Sequence, residues 1–172
     1  MGETSKAVVS SRSSTSADRS RAGVDLACRV ATSPDDVAVH HEIRHAVFVE
    51  EQRIFDGSDR DERDDDPATI KVLGIGGGIA GGAVRLYPLD EPGRWRGDRL
   101  AVLPAFRRHG LGPPLVRFAV RLAGERGGEL MDAYIQPRNV PLFRKLGWRT
   151  EGDLLEHVGL PHQRMVIELS GR

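Results

Sequence analysis

Residues 107–118 read RRHGLGPPLVRF. Two arginines lead into a loop that holds Gly110 and Gly112, Pro113 and Pro114 follow, and an apolar run opens behind them. A strand-like stretch, GDRLAVL at 97–103, stands just before the loop. Strand, glycine loop and helix in that order form a phosphate cradle, because free amides at a helix start point at an anion and the helix dipole favours negative charge. Gly110 and Gly112 let the main chain turn and approach closely with no Cβ in the way. Arg107 and Arg108 add cationic contacts to phosphate. Pro113 pre-sets φ for the first helical turn and removes one donor. The donors left are the amides of Arg108, His109, Gly110, Leu111 and Gly112. The loop is neither a Gly-x-x-x-x-Gly-Lys-Ser/Thr P-loop nor a three-glycine Rossmann fingerprint. An ordinary strand-to-helix turn is the alternative reading of these residues.

The helix expected over Pro113–Arg126 carries Arg117, Arg121, Gly124 and Glu125 on one stripe and apolar residues around the rest, a surface suited to packing on a sheet. Upstream, DLACRVAT (25–32) alternates as a strand. Ser33-Pro34-Asp35-Asp36 is a helix start: a cap, a proline at the first position, and acids near the positive dipole end. TIKVLGI (69–75) and IAGGAVRLYPL (79–89) read as two strands joined by a tight hairpin at Gly76-Gly77-Gly78. Downstream come a strand, ELMDAYI (129–135), and a short helix with a glycine stop, VPLFRKLG (140–147). Two strands, WRTEGDLLEHV (148–158) and HQRMVIELS (162–170), close the chain. This order predicts a single mixed α/β sheet domain over residues 25–172. Residues 1–24, rich in Ser, Thr and Arg without any apolar period, are expected to form a disordered tail.

A chain of 172 residues, 39% apolar, fits one domain with a core. No apolar run approaches the ~18 residues of a spanning helix, and no signal-peptide layout opens the chain. Lys6 stands where a myristoylation pattern needs Ser or Thr. The one cysteine, Cys28, excludes an internal disulfide framework and a multi-thiolate metal site, so no metal is expected and a cytoplasmic setting is the default. Net charge is zero but uneven. Residues 56–66 hold seven acids against Arg60 and Arg63. Lacking the glycine an EF-hand needs at its sixth position (Asp64 stands there), this segment is expected to be a solvated connection. From Arg85 to Arg149, thirteen cations face six acids, which suggests an anionic ligand. No DNA- or RNA-binding motif accompanies that basic half, so nucleic acid is not an expected partner.

Four stretches together resemble a known family. RLAV followed by Arg107-x-x-Gly110-x-Gly112 and an apolar helix is similar to motif A of the Gcn5-related N-acetyltransferases (GNAT). IRHAVFVEEQ (43–52), LFRKLGW (142–148) and GLPHQRM (159–165) resemble, in order, stretches of a bacterial subgroup with VFVEEQ and PHQRM-type motifs. That subgroup is similar to an acetyltransferase-like family encoded near nitrilase gene clusters. The resemblance spans about residues 25–170. It implies a GNAT fold: a mixed, mostly antiparallel sheet of six or seven strands flanked by about four helices. It implies acetyl-CoA, or a related acyl-CoA, as donor substrate and a small-molecule amine as acceptor, with no membrane partner; a homodimer is compatible with it. Leu100, Ala101 and Val102 would pair with the pantetheine arm through their main chain, and the Val102 amide would meet the thioester carbonyl. The loop from Arg108 to Pro113 would hold the pyrophosphate, with Asn139 and Arg138 on the far side of the coenzyme.

Acyl transfer to an amine needs a base and an oxyanion donor. Glu51, in the VFVEEQ stretch, and His162, in the PHQRM stretch, are the candidate bases; each has a structural alternative, a surface carboxylate for one and a turn-stabilising imidazole for the other. Asp98, Asp132, Glu156 and His157 are weaker candidates. Phe143 stands where the family often carries a Tyr that protonates the leaving thiolate, and a phenyl ring donates no proton. That departure favours a rival reading, a non-catalytic acyl-CoA binding or sensing module acting with a partner protein. A second rival is an acyl-homoserine-lactone-type synthase; the intact glycine loop argues for CoA over a carrier-protein donor. The acidic 56–66 loop would attract a cationic acceptor.

Overall fold

Ser33 caps the first helix as its position before Pro34 predicts: its hydroxyl accepts from the Asp36 amide at 3.1 Å. The computed structural model describes residues 23–170, so the tail expected over 1–24 lies, but for Gly23 and Val24, outside the described residues. The capped helix, α1 (Pro34–Arg44), runs without a break into a π-helical segment, His45–Glu51. The wider coil turns Val47 and Phe48 into the core and leaves Glu51 exposed. Wide turns of this kind are rare and frequently mark functional sites.

The strands are β1 (Leu26–Val30), β2 (Ile70–Gly76), β3 (Ile79–Pro88), β4 (Arg94–Val102), β5 (Leu130–Ile135), β6 (Arg149–Thr150), β7 (Leu155–His157) and β8 (Leu160–Glu168). The helices after α1 are α2 (Pro104–Arg107), α3 (Gly112–Glu125) and α4 (Val140–Lys145). The sheet order is β1-β2-β3-β4-β5-β8-β6, with β7 paired to β8. All pairings are antiparallel except β4 with β5. The β2–β3 hairpin turns on Gly77 and Gly78, at φ 57° and 82°, a backbone only glycine adopts freely.

The stretch 148–158 is not one strand. It breaks at Gly152, whose φ of 73° interrupts the extended chain, and yields two short strands, β6 and β7. This makes eight strands where six or seven were expected.

Alternation sorts the side chains of the sheet onto two cores. Val72, Val84, Leu86, Met131 and Ala133 pack with Leu115, Val116 and Ala119 of α3 and with Phe143 and Trp148. Leu73, Ala83 and Ala101 pack with Ile43, Val47 and Phe48 on the opposite face. The wide apolar surface of α3 is the reason it lies flat on the first face. No helix among the described residues is long and apolar enough to cross a membrane.

The acidic segment is solvated only in part: Asp56, Glu62 and Asp65 are exposed, but Asp59 and Asp64 are buried. The Asp59 and Asp64 side chains are 2% and 1% exposed. Arg44, itself fully buried, donates to Asp59 at 2.7 Å and to Asp64 at 2.6 Å. Arg85, also fully buried, bonds Asp61 at 2.6 Å and Asp98 at 2.7 Å. Lys71 donates to the Asp64 carbonyl at 2.8 Å. Burial alone would raise the Asp64 and Asp61 carboxyls, but the Arg44 and Arg85 guanidinium groups bonded to them hold both below the usual carboxylate range. A fully desolvated charge is tolerable only when paired, so these acids fold inward to meet arginines that the sheet already buries. Asp59, Asp61 and Asp64 are paired there, which removes them, but not exposed Asp56, Glu62 and Asp65, from any attraction of a cationic acceptor to this loop.

Candidate active site

The site begins with a parting of strands. β4 and β5 pair only from Arg94↔Leu130 to Arg96↔Asp132 and then separate. The ladder with β3 slips at the same level: Ala101 faces Ala83 and Asp98 faces Arg85, so Val84 alone stands opposite Arg99 and Leu100. This β-bulge sets Arg99 at φ 52°. A non-glycine residue there costs of order 1 kcal/mol or more. The Arg99 guanidinium compensates by bonding the Asp59 carbonyl at 3.0 Å and lying over the Phe55 ring at 4.5 Å. Beyond the bulge the β5-side edge of β4 is open. Leu103 donates to Gly81 on β3 at 2.9 Å, so by strand alternation the Val102 N–H and C=O turn to the open side.

A cavity of about 460 Å³ fills the parting. Its wall includes Leu100 of β4, Tyr134 and Ile135 of β5, Phe48 and Phe55 on the α1 side, Val116 and Ala119 of α3, Asn139, Phe143, His157 and His162. A second cavity of about 310 Å³ adjoins it, lined by Glu51, Arg107, Arg138 and Leu160. Gln52, Ile54 and Gln136 line both, and Gln136 donates to Gln52 at 3.2 Å across the junction.

Of the backbone expected to meet the coenzyme arm, Leu100 lies on the wall of the main cavity, and Val102 points its polar groups to the open edge. Ala101 is turned the other way: it belongs to the ladder with Ala83, and the residue is 1% exposed in the α1-side core. Three of the five amides expected at the glycine loop are also committed. The Arg108 amide turns to the Phe106 carbonyl, His109 donates to Phe106 at 3.2 Å and Gly110 to Arg107 at 3.1 Å, because the short α2 ends there in a turn. Gly110 takes that turn at φ 71°. Among the described residues the Leu111 and Gly112 amides donate to no backbone carbonyl. They stand at the start of α3, a fourteen-residue helix with Pro113 in its first turn. Nothing lies within 4 Å of where a Cβ would stand on Gly112.

Arg107 is not a free phosphate contact. Its Nε donates to the Val102 carbonyl at 2.9 Å and its fork grips both oxygens of Glu51. That hydrogen-bonded cation holds the Glu51 carboxyl below its usual range and weakens it as a base. Arg108 and Asn139 are exposed, as is Arg138.

His162 is 5% exposed and lines the main cavity. Its Nδ1 lies 2.9 Å from the Leu160 carbonyl. A carbonyl only accepts, so Nδ1 carries the hydrogen and Nε2 is left with a lone pair. The turn-stabilising reading is met at Nδ1, and Nε2 is the nitrogen that a base reading would use. His157 meets His162 edge-on at 5.2 Å and stacks on Tyr134 at 4.7 Å. Burial, then the neighbouring His162, pushes His157 below the ordinary imidazole range.

Asp98 and Asp132 are structural. Asp98 accepts from Arg85 and from Tyr87, whose hydroxyl burial and the Asp98 charge push up to about 12. Asp132 accepts from Arg96 at 2.8 Å and from Arg164 at 2.9 Å. Glu156 is exposed on β7. Phe143 is 5% exposed and packs edge-on against Trp148 at 5.3 Å, a core residue that also reaches the cavity wall.

Arg99, Tyr134 and the Gln52–Gln136 bridge were missed from sequence. No periodicity marks a non-glycine residue at positive φ, and the two glutamines stand 84 residues apart.

Residues 36–148 match the model of the acetyltransferase (GNAT) family. A Bacillus subtilis (strain 168) protein described as a "putative acetyltransferase" is 30% identical over 135 residues, covering 78% of this chain and 90% of its own. The fold is also that of an acyl-CoA N-acyltransferase from Pseudomonas aeruginosa (TM-score 0.70, 20% identity, 83% of this chain and 98% of that one). It is shared by BjaI, a CoA-dependent acyl-homoserine lactone synthase solved with SAM and isopentyl-CoA (TM-score 0.68, 19% identity, 86% and 84%). With the parted strands, the glycine loop and this likeness in hand, the chain belongs to the GNAT acetyltransferase family and is an acyl-CoA-dependent N-acyltransferase.

Proposed function

We propose that the protein moves an acyl group, acetyl being the simplest, from acyl-CoA to a small-molecule amine in the cytoplasm by direct attack, without a covalent enzyme intermediate. The observation that carries this reading is the parting of β4 from β5 together with two amides at the start of α3 that donate to no backbone carbonyl, that of buried Leu111 and that of Gly112. Those amides and the dipole of α3 would hold the pyrophosphate. Arg108, Arg138 and Asn139, all exposed, would contact the coenzyme from the rim. The open edge of β4 at Leu100 and Val102 would take the pantetheine arm, with the Val102 amide at the thioester oxygen.

The amine nitrogen attacks the thioester carbon and its proton passes to Nε2 of His162, which the Leu160 contact leaves as an acceptor. The oxyanion accepts a hydrogen bond from the Val102 amide. Collapse breaks the C–S bond, and the CoA thiolate takes up the proton from the imidazolium or from water. Glu51 is assigned to the Arg107 bridge rather than to proton transfer, since it is already ion-paired.

Gly112→Asp tests the donor site. No neighbour crowds a Cβ at this position and its φ is ordinary, so the variant folds; its carboxylate stands beside the two free amides and repels a diphosphate. Calorimetry is expected to show CoA affinity falling at least about tenfold, one charge–charge contact in partly screened solvent. Unchanged affinity removes the pyrophosphate assignment. Thiol release over a panel of amines then separates the two rival readings. CoA binding with no turnover on any amine supports a sensing module, which Phe143 favours by offering no proton. Turnover confined to SAM supports a lactone synthase; because BjaI is itself CoA-dependent, the glycine loop does not discriminate against that reading.

A further inference from the structure

The main cavity has two chemically distinct halves. Toward α1 its lining carries all of its Arg and Asp side chains, Arg60, Asp61, Arg96, Asp98 and Arg99, set among the aromatic rings of Phe48, Phe55 and Tyr134. Toward α3 no lining residue is charged; Leu100, Val116, Ala119, Met131, Ala133 and Phe143 make most of that wall. The division follows from strand alternation. Asp98 and Arg99 both turn to the α1 side because the bulge inserts an extra residue there, while Met131 and Ala133 keep to the α3 side.

The apolar half continues past the point where a donor would be held. The second cavity, with Arg107 and Arg138 on its wall, opens into the main one beside Gln52, Ile54 and Gln136, and on the acyl-CoA reading a pantetheine arm would reach β4 from that side. A chain lying along the open edge of β4 meets the main cavity at Leu100. The cavity then runs on to Gly97 and Met131, next to the last β4–β5 rung. At about 3.3 Å per residue that is roughly 10 Å beyond Leu100, somewhat less across the bulge. An acetyl group ends one carbon beyond its carbonyl and would leave this apolar wall wetted. An amine acceptor, which is polar and often charged, gains no partner there and belongs in the charged half.

Resting on the acyl-CoA reading above, we propose that the α3-side half of the cavity is an acyl-chain chamber and that the preferred donor is an acyl-CoA of butanoyl to octanoyl length. Small side chains at Ala119 on α3 and Ala133 on β5 give the chamber its width. Each methylene buried there strengthens binding roughly fourfold at full burial.

The test is calorimetric titration of the full chain with CoA, acetyl-CoA, butanoyl-CoA, hexanoyl-CoA and octanoyl-CoA. Hexanoyl-CoA is expected to bind at least about tenfold more tightly than acetyl-CoA, a conservative share of four buried methylenes. Ala133→Leu and, independently, Ala119→Leu fill the chamber. Each is expected to lower the hexanoyl-to-acetyl affinity ratio about tenfold, with thermal unfolding confirming that the variant is folded. Two variants on separate elements guard against one failing to fold, and the wild-type series stands without either. If CoA and acetyl-CoA bind but affinity is flat or falls with chain length, the chamber is refuted and the acyl-CoA reading survives. If no CoA species binds, that reading fails and the chamber falls with it.

Discussion

At His162 one hydrogen bond sets which ring nitrogen is available to a substrate. The Leu160 carbonyl takes the Nδ1 hydrogen, which leaves a bare Nε2 in a ring that lines the cavity. Glu51 has the opposite fate: the sequence offers it as an equal candidate, and Arg107, 56 positions away, occupies both of its oxygens. The consequence is measurable. His162→Gln is expected to lower kcat by about 10²–10⁴-fold, the usual range for a lost general base, while acyl-CoA affinity stays within a few-fold. Glu51→Gln is expected to lower kcat less than about tenfold. Single-turnover kinetics and calorimetry on both variants check this, and a larger loss at Glu51 would reverse the assignment. Neither outcome was legible in the sequence, where the two residues differ only in type. The Arg107 partner and the Leu160 carbonyl become neighbours only through the fold.

At the scale of elements, the glycine loop depends on how α2 is held. The Phe106 ring lies flat on Gly81 of β3, so close that a Cβ there would stand 2.2 Å from the ring. Leu103 donates to Gly81 at 2.9 Å and fixes the same contact from the main chain. Gly81→Ala must therefore displace α2 and the loop behind it. A cost of about 1–3 kcal/mol in stability is expected from the overpacking, together with weaker CoA binding. Phe106→Ala should relieve the clash, so the double variant should lose less than the sum of the singles, a coupling of at least about 0.5 kcal/mol in a denaturation cycle. Strict additivity would show that Phe106 does not set the loop. The strand–loop–helix order was readable from residues 97–126, and α3 begins within one residue of its expected start. The division of labour inside the loop was not. Which amides remain free depends on the turn that ends α2, and no spacing rule reports it.

At the scale of the whole molecule, stability rests on a buried polar layer beneath the α1-side face. His40 is fully buried and donates from Nε2 to the Val84 carbonyl at 3.0 Å, while its Nδ1 has no partner. Burial pushes its pKa down to about 3. An unfolded His40 titrates near 6.5. Between those values the unfolded chain binds a proton that the native chain refuses, so the stabilisation is complete above pH 6.5 and is lost as pH falls toward 3. His41 and His157, also lowered, act with the same sign. Asp61, Asp64 and Asp132 add their loss only below the ordinary carboxylate range, near pH 4. Urea titrations between pH 6.5 and 4.5 should therefore show stability falling with acid. His40→Gln, which keeps a donor for Val84, should flatten that fall by up to about 1.4 kcal/mol per pH unit, one proton's worth. An unaltered slope would mean that His40 is protonated in the native state.

Local pattern was enough to determine most of the element order, the cap of α1, the hairpin glycines and the glycine turn ahead of α3, because each depends on residues within a few positions of one another. It also carried the family, since four motifs lie in a fixed order along the chain. The tertiary structure alone decided which charges are spent and which are free. Asp59, Asp61 and Asp64 meet Arg44, Arg85 and Arg99 only when sheet and loop close on each other. The bulge at Arg99, which opens the strands and sorts the cavity into charged and apolar halves, is likewise a compromise between distant partners. Desolvation is the common cause: a charge buried by folding must find its counterion wherever the chain has brought one, and linear sequence does not contain that distance.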